Sequence, residues 1–182
     1  MTQRTDFHLT LPVTNIDHTL GPDHAPVTLV EYGDFECPNC KQAKPAVELL
    51  LERFKERVRF VYRHFPLTTV HSHAEQAAEA AEAAGAQGRF WAMHDVLFEN
   101  QQRLDALYLH AYAEALGLNV GQFDRELVEH VHADRVREDF MSGVRSGVNG
   151  TPTFYINGVR HDGSFELPVL LAALQRAASV GA

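Results

Sequence analysis

Gly33-Asp34-Phe35-Glu36-Cys37-Pro38-Asn39-Cys40-Lys41-Gln42-Ala43-Lys44-Pro45 is the stretch that decides the fold. Upstream, Val27 to Gly33 is rich in β-branched and aromatic residues and reads as a strand. Downstream, Ala43, Ala46, Val47, Leu50 and Phe54 recur at helical spacing. Pro38 falls where a first-turn proline is tolerated. Pro45 lies inside the helix, where it removes a donor and clashes one turn back, so a kink is expected. Two cysteines three apart thus open a helix directly after a strand, on one face and within disulfide reach. Cys37 lies beyond the free N–H groups of the first turn, whose partial positive charge favours a thiolate. The spacing predicts that Cys37 is the exposed, reactive thiol and that Cys40, a turn deeper, resolves the mixed disulfide.

The chain holds only these two cysteines. A structural disulfide framework needs more, at longer separations, and a zinc ribbon needs a second pair of ligands. The pair therefore points to redox chemistry.

Working outward, Val58 to Phe65 reads as a second strand, and strand, helix, strand implies a right-handed crossover with parallel pairing. Residues 1 to 26 form an irregular lead-in with one short edge strand near Phe7 to Leu11. Residues 71 to 147 are helical almost throughout. Ser72 to Ala84 is closed by Gly85, and Arg89 to Asn100 follows. Asp105 to Leu116 is closed by Gly117, and Gly121 to Val131 and Asp134 to Gly147 complete the run. Thr153 to Ile156 is again a strand, and Asn157-Gly158 is a strong hairpin signal returning through Val159 to Asp162. A final helix, Glu166 to Ala178, places Leu167, Leu170, Leu171 and Leu174 on one side, with Ser164 as N-cap. The organisation is an α/β segment 1–70, a helical insertion 71–147 and a closing segment 148–182.

With 182 residues, 45% of them hydrophobic and 22% charged, the chain is long enough to fold without staples. A formal net charge of -8 argues against nucleic acid as a partner. No apolar run approaches the length that crosses a bilayer, so no membrane association is expected. Met1 to His8 lacks the apolar run of an export signal, so the cytoplasm is the expected location.

Several other residues invite a role. Thr151-Pro152 stands immediately before a strand, where a proline is permitted. Glu31 interrupts an apolar strand face shared with Val27 and Leu29, and a buried acid is costly unless paired or protonated. Arg59 and Arg63 are the bases within reach along the sequence pattern. The eleven histidines invite a metal reading, but neither His71-x-His73 nor His130 with His132 gives the three or four convergent ligands that zinc needs. Phe65-Pro66-Leu67 reads as packing or as the lining of a substrate groove. Phe90, Trp91, Met93, Leu97 and Phe98 read as helix core.

A strand, Cys-x-x-Cys opening a kinked helix, and a distant Thr-Pro before a hairpin and a last helix together resemble the thioredoxin superfamily. Lys41 and Pro45 resemble thioredoxin itself. The helical insertion and Asp34-Phe35-Glu36-Cys37-Pro38 resemble the DsbA-like branch. The resemblance covers about residues 22 to 178. It implies a thioredoxin-like α/β fold with an inserted all-helical subdomain, acting as a protein disulfide oxidoreductase without organic cofactor or metal. It implies that Pro152 is cis and lies against the cysteine pair, with Thr151 offering its backbone to an extended peptide. It also implies that Glu31 helps to move protons near the cysteines.

In one respect the chain departs from the strongly oxidising, exported members it resembles. They have histidine before the second cysteine, and Asn39 offers only a neutral dipole. Asp34 and Glu36 lie close to Cys37 in sequence and are expected to oppose its thiolate. Both effects imply a less oxidising couple and a reductase role in the cytoplasm. The partners expected are protein or peptide thiols and disulfides, with a thioredoxin system or glutathione resetting the enzyme. Two other classes fit less well. One is a glutathione-linked small-molecule isomerase or transferase on the same fold, and the other is a peptide-binding chaperone module.

Overall fold

A computed structural model describes residues 7–180; the first six residues of the lead-in lie outside them. Strands β2 (Val27–Gly33) and β3 (Val58–His64) are each buried along almost their whole length. That pattern belongs to strands covered on both faces. They are neighbours at the centre of a five-stranded sheet of order β1-β3-β2-β4-β5. Strand β1 (His18–Leu20) pairs antiparallel with β3, His18 opposite Tyr62. Strand β4 (Thr153–Ile156) pairs antiparallel with β2, Leu29 opposite Ile156 and Tyr32 opposite Thr153. Strand β5 (Val159–His161) returns beside β4. Asn157 and Gly158, at φ 48° and 81°, make the tight turn that their sequence predicts.

The edge strand expected at Phe7 to Leu11 forms only one bridge, His8 to Val159 beside β5, and the strand that the lead-in contributes is β1, at the opposite edge. Pro12 has no N–H to donate, and the carbonyls of Leu11 and Pro12 are both taken by Arg63. The helices are α1 (Pro38–Phe54), α2 (Ala74–Gly85), α3 (Phe90–Glu99), α4 (Ala106–Ala115), α5 (Val120–Val128), α6 (Ala133–Ser146) and α7 (Leu167–Val180). Asp105 caps α4 and Asn119 caps α5 through side-chain oxygens. Ser164 stands one step outside its expected place: its Oγ accepts from the Glu166 N–H at 3.1 Å, and the helix begins at Leu167.

The chain divides into two compact units. The first holds residues 1–33, 42–63 and 141–182, and the second holds 34–41 and 64–140. These boundaries differ from those placed at 70 and 147 on sequence, chiefly because Asp34–Lys41, with both cysteines, groups with the helices.

In the first unit Tyr32, Tyr62 and Tyr155 are fully buried. The Tyr32 hydroxyl meets Ser142 Oγ at 2.7 Å and Tyr155 donates to the Ser146 carbonyl at 2.7 Å, which ties the end of α6 to the sheet. A Cβ on Gly33 would stand 2.5 Å from the Tyr62 ring, so glycine lets that ring lie across the end of β2. Arg63 is 1% exposed. It donates to both carboxylate oxygens of Asp17, at 2.7 and 3.1 Å, to the Leu11 and Pro12 carbonyls and to the Tyr32 hydroxyl. Arg59 pairs with Asp23 at 3.3 Å. The two bases weighed as partners for Glu31 are thus engaged by other acids.

In the second unit α2 buries Ala74, Ala77, Ala78, Ala80, Ala81, Ala83 and Ala84, small side chains that let α3 and α5 approach. Phe65 is buried and stacks on Phe140 at 4.4 Å, so it is packing. His64 donates its backbone N–H to Asp139 at 3.0 Å and its Nε2 lies 2.8 Å from Glu82.

Breaking a buried ion pair by removing one partner leaves an uncompensated charge and costs about 3–5 kcal/mol. Asp17→Ala is therefore expected to lower stability by about that amount in guanidinium unfolding. Asp23→Ala, at a site 85% exposed, is expected to change it by less than about 0.5 kcal/mol.

Candidate active site

The reactive turn is built from its backbone outward. The Cys37 N–H donates to the Asp34 carbonyl at 3.1 Å, and the Cys37 carbonyl accepts the Lys41 N–H at 3.3 Å. Cys37 is thus the residue that opens α1, and Pro38 takes the first helical position, where no N–H is needed. Pro38 and Asn39 are exposed between two buried cysteines. Both cysteines are free thiols.

Cys37 is not the exposed thiol that its spacing predicts. It is 5% exposed against 1% for Cys40, so only the order of accessibility is as expected. Phe35 and Gln101 fix the main chain around it. Phe35 is 1% exposed, with its ring 5.0 Å from Phe98 and 5.7 Å from His94. Gln101 sits just beyond α3 and donates through Nε2 to the Phe35 carbonyl at 2.8 Å and the Cys37 carbonyl at 2.9 Å. Lys41 reaches the Glu99 carbonyl at 3.2 Å, a cation at the C-terminal end of α3, where the helix dipole favours one.

The acids beside Cys37 are not bare charges either. Asp34 is 2% exposed. Its carboxylate accepts from the Glu36 N–H at 2.8 Å and the Leu67 N–H at 2.9 Å, and His71 Nδ1 lies 2.8 Å away. Glu36 accepts from the His73 N–H at 2.7 Å, with His73 Nδ1 at 3.0 Å. Burial works against a charged His71. The hydrogen bond to Asp34, the Asp34 charge and the charges of Cys37 and Glu36 outweigh it, and its pKa lies above the ordinary 6.5. Each acid expected to oppose a Cys37 thiolate thus has a histidine ring within hydrogen-bond distance. Sequence reasoning missed His71, His73 and Gln101 as site residues. The two histidines had a signal: Asp34-x-Glu36 and His71-x-His73 repeat the same spacing with opposite character. Gln101 had none.

The remaining candidates lie in the first unit. Glu31 is 4% exposed on β2, opposite Phe154. The Thr151–Pro152 peptide bond is cis. Thr151 is buried and Pro152 half-buried, and Thr153 Oγ1 donates to the Gly150 carbonyl at 2.7 Å. Among the described residues no group of three or more His, Cys, Asp and Glu side chains is placed to hold a metal ion.

With this geometry in hand, comparison with known proteins is informative. The family pattern described as thioredoxin matches residues 14–176. The chain is similar to a thioredoxin-like oxidoreductase from Silicibacter pomeroyi DSS-3, with 29% identity, a TM-score of 0.79, and 90% of this chain and 92% of that one covered. It shares its fold with Wolbachia pipientis α-DsbA1, with 21% identity, a TM-score of 0.82, and 95% and 96% covered. It shares it too with oxidised BdbD from Bacillus subtilis, with 23% identity, a TM-score of 0.81, and 90% and 93% covered. In sequence it is 52% identical over 161 residues to Na(+)/H(+) antiporter NhaA 1 of Salinispora arenicola, covering 88% of this chain and 24% of that one. It is 40% identical over 163 residues to NhaA 1 of Mycolicibacterium vanbaalenii, covering 87% and 26%. The chain thus spans about a quarter of the length of the curated relatives it matches.

Removing the amide that binds two main-chain oxygens of the turn should loosen it. Gln101→Ala is expected to lower stability by about 1–3 kcal/mol in urea unfolding and to speed alkylation of Cys37 by iodoacetamide. Unchanged stability together with unchanged alkylation would show that the amide does not hold the turn.

Proposed function

The chain belongs to the thioredoxin family and has the fold of its DsbA-like thiol–disulfide oxidoreductases, and from that premise we propose that Cys37 and Cys40 exchange disulfides with protein or peptide substrates. One observation carries the reading: the only two cysteines occupy the first turn of α1, Cys37 at its opening and Cys40 one turn on, each a free thiol.

In the reducing direction, the Cys37 thiolate attacks one sulfur of a substrate disulfide. The substrate S–S bond breaks, the departing sulfur leaves as a thiolate and takes a proton, and a mixed disulfide remains. Cys40 then loses its proton and attacks the Cys37 sulfur, and the second substrate sulfur leaves. The substrate gains two electrons and two protons, and the protein becomes a Cys37–Cys40 disulfide. A thioredoxin system or glutathione returns it to the dithiol.

We favour the reducing direction, in a reducing compartment such as the cytoplasm. Asn39 supplies no positive charge to stabilise the reduced form as a histidine there does. Thr151 and Pro152, ahead of β4, are assigned to receive an extended stretch of substrate by strand addition. Glu31, buried in β2, is assigned to proton transfer. The match to the antiporters covers about a quarter of their chains, and the activity assigned here is dithiol chemistry rather than ion transport. Among the described residues no helix is long and apolar enough to cross a membrane.

Cys40→Ser is expected to accumulate mixed disulfides between Cys37 and client proteins, resolved by added thiol, while Cys37→Ser accumulates none. Exchange activity that survives loss of both cysteines would instead favour a glutathione-linked transferase. Client binding unaltered by either change, without turnover, would favour a chaperone.

A further inference from the structure

We propose that His71 is a positioning residue of the dithiol: held by Asp34, its imidazolium is the cation that favours the Cys37 thiolate in a chain whose residue before Cys40 is the neutral Asn39. The inference rests on the thiol–disulfide reading and adds the group that tunes it.

The geometry begins with one residue serving both partners. The main-chain oxygen of Asp34 accepts the Cys37 N–H at 3.1 Å, and its carboxylate lies 2.8 Å from His71 Nδ1. That carboxylate is fully buried, while the His71 side chain is 19% exposed. Two backbone N–H groups, from Glu36 and Leu67, complete its shell, so its position is fixed from three directions. An acid so close to a nucleophilic sulfur would on its own raise the thiol pKa. Paired with a protonated imidazole it becomes part of a neutral couple whose cation is available to the thiolate.

The charged groups that act on His71 lie on the turn before α1. Asp34, Glu36 and Cys37 on the turn before α1 all favour its protonation, and burial opposes it. The other bases of this unit near these elements have their own acceptors. His73 sits on Glu36, Lys41 on the Glu99 carbonyl, His64 on Glu82 and Arg135 on Asp139. What sets His71 apart is its acceptor: the residue that holds it, Asp34, also binds the Cys37 N–H through its main-chain oxygen.

Linkage makes the idea measurable from either end. If the thiolate raises the proton affinity of His71 by some factor, protonated His71 lowers that of Cys37 by the same factor. A disulfide carries no charge, so oxidation should drop the His71 midpoint toward that of an ordinary histidine. The sign for stability follows. A histidine whose pKa is raised on folding stabilises the protein below its unfolded value of about 6.5. That contribution fades as pH rises through the folded value. The loss should extend to higher pH in the reduced protein than in the oxidised one.

The experiment is an NMR titration of the His71 imidazole in the intact chain as dithiol, as disulfide and as Cys37→Ser, alongside thiolate absorbance in the wild type and His71→Asn. Asparagine keeps an N–H for Asp34 and removes the charge. The expected result is a His71 midpoint in the dithiol about tenfold higher in proton affinity than in the other two forms. His71→Asn should raise the Cys37 pKa by a matching factor and move the equilibrium with glutathione toward the protein disulfide by up to about tenfold. His71→Arg, which keeps a charge, should restore part of the shift. One His71 midpoint in the dithiol and in Cys37→Ser would overturn the proposal. If His71→Asn fails to fold, that wild-type comparison still decides. Failure of Cys37 and Cys40 to form any disulfide would sink the exchange reading itself, a distinct outcome.

Discussion

The carboxylate of Asp34 is the constraint on which the reactive turn depends. A buried acid is tolerated only when its oxygens are satisfied, and this one takes two backbone N–H groups and an imidazole. Hydrogen bonds to an ionised acceptor are the stronger kind. They join the residue that follows β2 to Leu67, beyond the end of β3, and to His71, ahead of α2. All three lie within the unit that groups Asp34–Lys41 with the helices at 64–140. Cys37 is carried by a segment that belongs to the helical unit.

The other contacts of the turn act in the same sense. Phe35 fills a site between His94 and Phe98, Gln101 gathers two carbonyls, and Glu36 holds the N–H and ring of His73. On this turn Pro38 and Asn39 are exposed and both cysteines are buried. A thiol at a helix opening gains from the free N–H groups there, and its surroundings set how much. Here the acids that would disfavour a thiolate are each matched by a histidine.

The sequence carries most of the frame. Period-two and helical patterns, Asn157-Gly158 and Gly117, at φ 71° beyond α4, all act locally, so strands and helices lie within a few residues of where they are read; Gly85, expected to close its helix, is instead the last residue of α2. The lead-in's strand lies at His18–Leu20 rather than at Phe7 to Leu11: β1 is only three residues long, and the segment before it is held by Arg63 and Asp17, 46 positions apart. At the site, the cysteine pair and its place at a helix opening were legible because spacing alone fixes them. The burial of Cys37 is not, and neither is the hold on its main-chain oxygen by Gln101, 64 residues away. Asp34 and His71, 37 apart, are a tertiary pairing whose trace in the sequence is a matched spacing that has meaning only once the two segments are known to meet.

The most direct measurement is native-state hydrogen exchange at the Glu36 and Leu67 amides, both of which donate to the Asp34 carboxylate, in the wild type and in Asp34→Asn. If this carboxylate holds the turn to the helical unit, both amides are protected with the same opening free energy in the wild type. In the variant both lose protection together, by about tenfold to a hundredfold, the weight of hydrogen bonds to a charged group. Amides that open independently of one another, or that keep their protection when the charge is removed, would contradict the account.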